Sequence, residues 1–429
     1  MATSIEQEKK LSILITNVVM SDRTGTEMAT YELALSLYKR GHRVVIYSPQ
    51  VGWLGKELSI RGVPVMDDIA RINFIPDIIH GHHNIPLAVA MLKFRETPAL
   101  FVCHDASYPF DIPILADRIY QHVAVDCATR DRLIAYGISP ENIELLINAV
   151  DTDQYNLRSE ISKSPKNALI VVKGFYRPDR IEGYIQKIQS ACEVYDIACN
   201  AIGIGIAKEI DNYWEVLKNH DIVFAVGRSA IEACCTGAHV ILTHELGFGG
   251  VLDSDTAKNF IHSKFCRRIT SGDFNKENIL SAIERYDTSE IYQAAIAWRK
   301  LVSIDLQTDR WIALYRNVIQ KHHNNLVPVD DGRIISLVAS TLPQAVSDIK
   351  AIISVKSYDN HFLKLSLLDE IFDNLAIPGA EVPISSKNPH TAAVFLDDGW
   401  SYLESWGGMD DIRHCLNTHP EQSNEALRL

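Results

Sequence analysis

Short apolar runs alternate with amphipathic stretches along most of the chain. Residues 11–16 carry no polar alternation, so they predict a short strand covered on both faces. A polar loop with one glycine follows over residues 21–27. Then comes a helix with Met28, Tyr31, Leu35 and Tyr38 on one face. It stops at Arg40-Gly41-His42, where glycine supplies the C-terminal signal. Residues 43–47 form a second strand and complete a βαβ unit. Further strands are predicted at 77–80, 99–102, 122–125 and 142–147.

A polar stretch, 151–166, interrupts this rhythm and marks a domain boundary. The rhythm restarts with strands at 168–172, 198–204, 221–225 and 239–243, and helical signal runs from 277 to 321. Strands alternating with helices imply parallel sheets covered on both faces. Two doubly wound α/β domains in series leave a cleft between them, where ligands of such sheets bind. The expected division is 1–155, 167–324 and a C-terminal extension, 325–429. In the extension, apolar runs at 334–335 and 392–396 suggest strands, and the polar end, 419–429, is expected to move.

The chain has 429 residues, 47% of them hydrophobic, which is enough for two cores. A net charge of −12 argues against nucleic acid as a partner. The eight cysteines are scattered without a C-x-x-C pair, a pattern of reduced thiols rather than disulfides or zinc. The first ten residues lack an apolar core for a signal peptide, and no run approaches the ~20 apolar residues of a membrane span. The expected location is cytoplasmic, with the inner face of the membrane open for a membrane-borne substrate.

Several segments can carry chemistry. Gly25 and Thr26 lie between a strand and a helix, where backbone can approach an anion, but one glycine is no fingerprint and alone it reads as an ordinary β-to-α turn. His80, His82 and His83 cluster at a strand end without Cys or carboxylate neighbours, so lining a cleft is favoured over metal. His104 and Asp105 follow the strand at 99–102, at the carboxyl edge where these sheets place chemistry; a simple loop hydrogen bond accounts for the pair about as well. Gly203 and Gly205 are too short a pattern for a dinucleotide fingerprint. Residues 227–237 are the strongest segment. Gly227 allows close approach, Arg228 supplies charge, Ser229 begins a helix, and Glu232 can accept both ribose hydroxyls. Ser229-x-x-Glu232 also reads as a capping box, which spacing alone favours.

As a whole, residues 11 to 320 resemble a GT-B glycosyltransferase, similar to family 4 of retaining enzymes. The resemblance is carried by Gly25-Thr26-Glu27 through Leu33-Ala34-Leu35 to Arg40-Gly41-His42-Arg43-Val44, by Asp77-Ile78-Ile79-His80-Gly81-His82, and by Phe101-Val102-Cys103-His104-Asp105. Val125 to Asp131, Ile147 to Asp151, Gly227 to Gly237 and Asp309 to Tyr315 extend it. Phe224 stands where the family has a second glutamate, eight positions before Glu232; Asp126 replaces a serine and Ala149 a glycine.

The resemblance implies two Rossmann-like domains and transfer of a hexose from a nucleoside diphosphate sugar to an acceptor hydroxyl, without metal or cofactor. The setting it suggests is bacterial surface polysaccharide or glycoconjugate synthesis, with a saccharide, lipid-linked or protein acceptor. Glu232 then binds the donor ribose. Arg228 and one of Lys173, Arg177 and Arg180 stabilise the leaving diphosphate, with Gly25 and Thr26 facing it across the cleft. His104, with Asp105 beside it, contacts the donor sugar or the acceptor. Two alternatives stand beside this reading: a sugar-nucleotide epimerase on the same fold, and a non-catalytic nucleotide-sugar-binding or scaffold protein. Trp400, Tyr402 and Trp406 in the extension suit a small packed module or the docking of a partner enzyme or membrane.

Overall fold

The computed structural model describes residues 9–21, 23–106, 108–172, 178–203, 206, 210, 212–244, 247–258, 272–325, 331–339, 393–396 and 399–402. The first half opens with β1 (Ser12–Thr16), β2 (Val19–Met20), α1 (Gly25–Lys39), β3 (Arg43–Tyr47), β4 (Gln50–Val51), α2 (Trp53–Ile60) and β5 (Val65–Met66). It continues with β6 (Ile78–His82), α3 (Asn84–Lys93), β7 (Ala99–Cys103), β8 (Ile119–Ala124), α4 (Cys127–Ala135) and β9 (Ile143–Leu145). Seven of these strands form one sheet in the order β5-β3-β1-β6-β7-β8-β9, and each pair in it is parallel.

The second half contains β10 (Asn167–Val172), α5 (Pro178–Cys192), β11 (Ala198–Gly203), α6 (Tyr213–Lys218), β12 (Ile222–Ala225), α7 (Gly227–Cys235), β13 (His239–His244) and β14 (Gly247–Val251). Its sheet order is β11-β10-β12-β13-β14, parallel except for the antiparallel edge strand β14. Four helices follow: α8 (Ser254–Lys258), α9 (Lys276–Glu284), α10 (Thr288–Val302) and α11 (Ile304–Asn324). Both sheets are α/β and doubly wound, as expected.

The chain crosses between the halves twice, and the two crossings are bonded together. Val150 N donates to Val302 O at 2.8 Å, and Ile304 N donates to Val150 O at 3.0 Å. Arg299 fixes the linker further, donating to the carbonyls of Thr152, Tyr155 and Cys235. After this junction α11 returns to the first sheet. Trp311, Ile312, Tyr315 and Val318 join the core built on Ile13, Ile15, Leu37 and Val102. Arg40 pairs with Asp305 and Asp309, and Thr308 Oγ1 donates to Ser36 Oγ at 2.8 Å.

That return explains one departure from the sequence pattern. Tyr38 is 44% exposed, and the fully buried positions of α1 are Thr30, Ala34 and Leu37. Because α1 packs on the sheet and against α11, its buried surface is wider than one stripe and includes Glu32 and Ser36. Other departures are local. The helical signal after residue 277 resolves into three helices broken at Asp287 and Ser303. Ile334 and Ile335 lie in a helix, 332–339, not a strand. Ser229 does not begin α7: the helix starts at Gly227 with Val226 as N-cap and no side-chain cap, so no capping box forms. A capping box does occur at Asp126 and Thr129, which start α4.

Contact grouping separates residues 336–429 from the preceding part. Within it, β15 (Ala393–Leu396) pairs antiparallel with β16 (Gly399–Tyr402), which carries Trp400 and Tyr402; Trp406 lies outside the described residues.

Gly203 ends β11 with φ +122°, and a Cβ there would meet the Val172 carbonyl oxygen at 1.9 Å. Only glycine fits where β10 and β11 end side by side; Gly205 lies outside the described residues. Gly203→Ala is therefore expected to destabilise the protein by about 1–3 kcal/mol or more. Equilibrium denaturation in urea measures this, and a wild-type midpoint would contradict the close approach.

Candidate functional site

Two buried polar clusters sit at the carboxyl ends of the strands, one in each half. In the first half, β6 ends in His80 and His82, and His83 follows at φ +65° as the N-cap of α3. His104 follows β7 directly. His82 Nδ1 lies 2.6 Å from His104 Nε2, and His80 Nδ1 lies 2.6 Å from the Tyr315 hydroxyl of α11. His83 Nδ1 donates to Asn17 Oδ1 at 3.0 Å, and Asn17 Nδ2 donates to Thr30 Oγ1 of α1 at 2.9 Å.

Burial holds these rings neutral. It lowers His80 to about 3 and His83 to about 4, and it drives His82 and His104 well below the usual histidine range. Two neutral rings share one proton between His82 and His104, so the tautomer of one fixes that of the other. Among the described residues, no group of three or more His, Cys, Asp or Glu side chains is placed to hold a metal ion.

The structure puts Asp105 to a different use from its neighbour. Asp105 Oδ1 accepts from Tyr108 N at 3.0 Å, and its carbonyl accepts from Arg132 at 2.7 Å. The carboxylate that meets His104 is Asp111, whose Oδ1 accepts from the His104 backbone N–H at 2.7 Å. Burial raises Asp111 to about 7.

The second cluster lies on α7. Arg228 is buried, and its Nε donates to Glu232 Oε1 at 2.6 Å within the helix. Its Nη2 donates to Glu32 Oε1 at 2.5 Å, across to α1 of the first half. Nη1 of Arg228 and Oε2 of Glu32 have no partner among the described residues. The two carboxylates hold the guanidinium firmly in its charged form. Burial raises Glu32 to about 7 in spite of Arg228. Tyr155 and Tyr213 pack edge to face beside this group, with ring centroids 6.5 Å apart.

The remaining sequence candidates fall as follows. Gly227, at φ +57°, opens α7, and Ser229 is buried within its first turn. Gly25 is exposed at the start of α1, with nothing within 4 Å of a Cβ placed there. Thr26 is half-buried next to it, and Glu27 already puts a carboxylate in this first turn. Arg180 is exposed on α5; Lys173 and Arg177 lie outside the described residues. Phe224 is fully buried on β12 among Ile170, Val172 and Ile241, so its side chain belongs to the core. A carboxylate there would be desolvated without a partner.

Sequence reading did not single out Glu32, Asn17 or Asp111. The one available signal was Glu32 itself, a charge inside the apolar stretch from Tyr31 to Leu35.

Two doubly wound sheets, an α7 that follows the central strand of the second, and a final helix that returns to the first define a GT-B glycosyltransferase fold. Residues 23–154 match the family model described as Glycosyltransferase Family 4, which confirms the resemblance in the first half. A glycosyltransferase from Rickettsia africae superposes with TM-score 0.53 at 16% identity, covering 72% of this chain and 99% of that one. HepE from Anabaena, solved with UDP and glucose, superposes with TM-score 0.52 at 13% identity, covering 71% of this chain and 99% of that one. No curated protein matches the chain. No helix of the described residues is long and apolar enough to cross a membrane.

The buried rings make a pH prediction. His83, His122 and His239 are held at about 4 in the fold, against about 6.5 unfolded. Below about 6.5 the unfolded chain takes up protons that the folded rings refuse, so stability falls as pH drops from about 6.5 towards 4. Each ring contributes up to about 1.4 kcal/mol per pH unit. Glu32 and Asp111, both raised to about 7 by burial from about 4.5 and 3.8, act with opposite sign, losing stability over that range as pH rises. Net acid destabilisation between pH 6.5 and 5 is expected in chemical denaturation, steeper still in Glu32→Gln. A stability that rises over that interval would contradict the neutral cluster.

Proposed function

We propose that the protein is a hexosyltransferase that moves a sugar from a nucleoside diphosphate sugar to an acceptor hydroxyl, using its own cations and helix ends rather than a metal ion. The observation that carries this reading is Arg228. It sits in the first turn of α7, at the carboxyl end of β12, buried and with Nη1 unpartnered among the described residues. As the bond from sugar to diphosphate breaks, negative charge gathers on the leaving phosphates. A fixed guanidinium beside a helix N-terminus stabilises that charge without reorganising.

Glu232, held by Arg228 Nε, takes the donor ribose in this reading. Gly227 and Ser229 give backbone and hydroxyl contacts to the phosphates, with Arg180 at the start of α5 as a further cation. His104, fixed by His82 and Asp111, meets the donor sugar or acceptor from the opposite half. Its neutral ring offers a directed donor or acceptor without adding charge. Uridine is the proposed base, since HepE was solved with UDP. Retention of the anomeric configuration belongs to the proposal on the strength of the family 4 resemblance, as does an acceptor of surface polysaccharide or glycoconjugate type.

A second reading, a non-catalytic nucleotide-sugar binder, is favoured by Phe224. Core burial of this side chain leaves the site without the family's other carboxylate. Turnover separates the two readings: a transferase releases free UDP from UDP-sugar only with its acceptor, and a binder releases none.

A thermal-shift screen with UDP, GDP, ADP and their sugars at millimolar concentration tests the shared claim. A nucleotide at 100 times its Kd adds about 2.7 kcal/mol. Glu232→Gln, whose amide oxygen still accepts from Arg228, is expected to melt close to wild type and to lose most of the nucleotide-dependent shift. No shift with any nucleotide would contradict the proposal, and an undiminished shift in Glu232→Gln would remove Glu232 from the site.

A further inference from the structure

The nucleotide contacts proposed above lie on the second half, yet a group that immobilises Arg228 comes from the first. Glu32 stands in the middle of α1, is 5% exposed, and spends one carboxylate oxygen on Arg228 Nη2 at 2.5 Å. Arg228 spends Nε on Glu232. These two bonds fix the plane of the guanidinium, because a planar fork held at two nitrogens has no rotation left. They also fix where Nη1 points. A buried Nη1 without a partner among the described residues is costly unless something accepts from it, and an anion is the fitting acceptor.

Charged and titratable groups that act on Glu32 are Arg228 and Glu232 of α7, with Asp151 and Tyr155 of the linker. Two carboxylates against one guanidinium make the trio negative when both are ionised, which opposes a diphosphate. A proton on Glu32 makes the trio neutral and keeps its hydrogen bond to Arg228. Burial lifts Glu32 towards neutrality, in line with that requirement.

Resting on the donor reading, we propose that Glu32 is a positioning residue supplied by the first half: it orients Arg228 and, through it, Glu232, so that a nucleoside diphosphate is gripped only when both halves are in register. Donor binding then depends on a side chain that need not touch the donor. The geometry of the hydrogen bond, more than the charge of Glu32, carries the effect.

Calorimetric titration of the full chain with UDP, beside the melting temperature of the unliganded protein, tests this. Glu32→Ala is expected to weaken UDP binding at least tenfold. Glu32→Gln, which keeps an oxygen for Nη2, is expected to stay within threefold of wild type. Glu32→Ala, which leaves Arg228 one partner short, is expected to melt below Glu32→Gln, and binding is compared at a temperature where both are folded. Binding in Glu32→Ala within threefold of wild type overturns the proposal and leaves Glu32 a structural ion pair. Equal weakening in Ala and Gln overturns it as well, because charge and not orientation is then responsible. If Glu32→Ala does not fold, Glu32→Asp carries the test: one methylene shorter, it is expected to bind at least fivefold more weakly, and wild-type affinity overturns the proposal. A wild-type protein that binds none of UDP, GDP and ADP fails the donor reading itself, and this inference with it; if it binds GDP or ADP instead, that nucleotide replaces UDP in the same titrations.

Discussion

A guanidinium taken out of water has to be met by hydrogen-bond acceptors, and here the acceptors come from both halves of the protein. Arg228 lies between Glu232 of its own helix and Glu32 of α1. Removing either partner would leave buried charge uncompensated, which costs far more than an exposed pair is worth. This one side chain therefore sets the spacing of α1 and α7. The hydrogen-bonded crossings at Val150 and at Ser303–Ile304 hold the same two halves from behind. The return of α11, with Trp311 and Tyr315 in the first core, closes the arrangement.

The two halves carry different chemistry at the carboxyl ends of their strands. The second half supplies a cation, a helix N-terminus and a carboxylate. The first supplies four histidines held neutral by burial, tied to one another and to Asn17 and Tyr315. Neutral rings direct hydrogen bonds without competing with Arg228 for an anion. The division suits a reaction in which charge accumulates on one side, on a leaving diphosphate, while hydroxyl groups are oriented on the other.

Much of this was legible in the chain, for a physical reason: a strand buried on both faces reads as an unbroken apolar run. Residues 43–47 and 99–102 announced β3 and β7 in this way, and the polar stretch after Val150 announced the break between sheets. The histidine cluster was visible because consecutive strand ends bring short motifs together. What escaped were contacts between segments far apart in sequence. Glu32 and Arg228 are separated by 196 positions, and no local periodicity links them. The buried surface of α1 was misread for the same reason, since its second face is covered by α11. Ser229 and Glu232 have the spacing of a capping box, but β12 ends early enough for the helix to start two residues sooner, at Gly227. The donor-ribose role proposed for Glu232 comes from the family resemblance alone, since spacing could not supply it.

The central claim is that a nucleotide is held at α7 with Arg228 as its fixed cation. A crystal structure of the protein with UDP tests this most directly. The account predicts the diphosphate against Arg228 Nη1 and the start of α7, the ribose on Glu232, and Glu32 still bonded to Nη2. Uridine bound elsewhere, with Arg228 Nη1 unchanged, would contradict it.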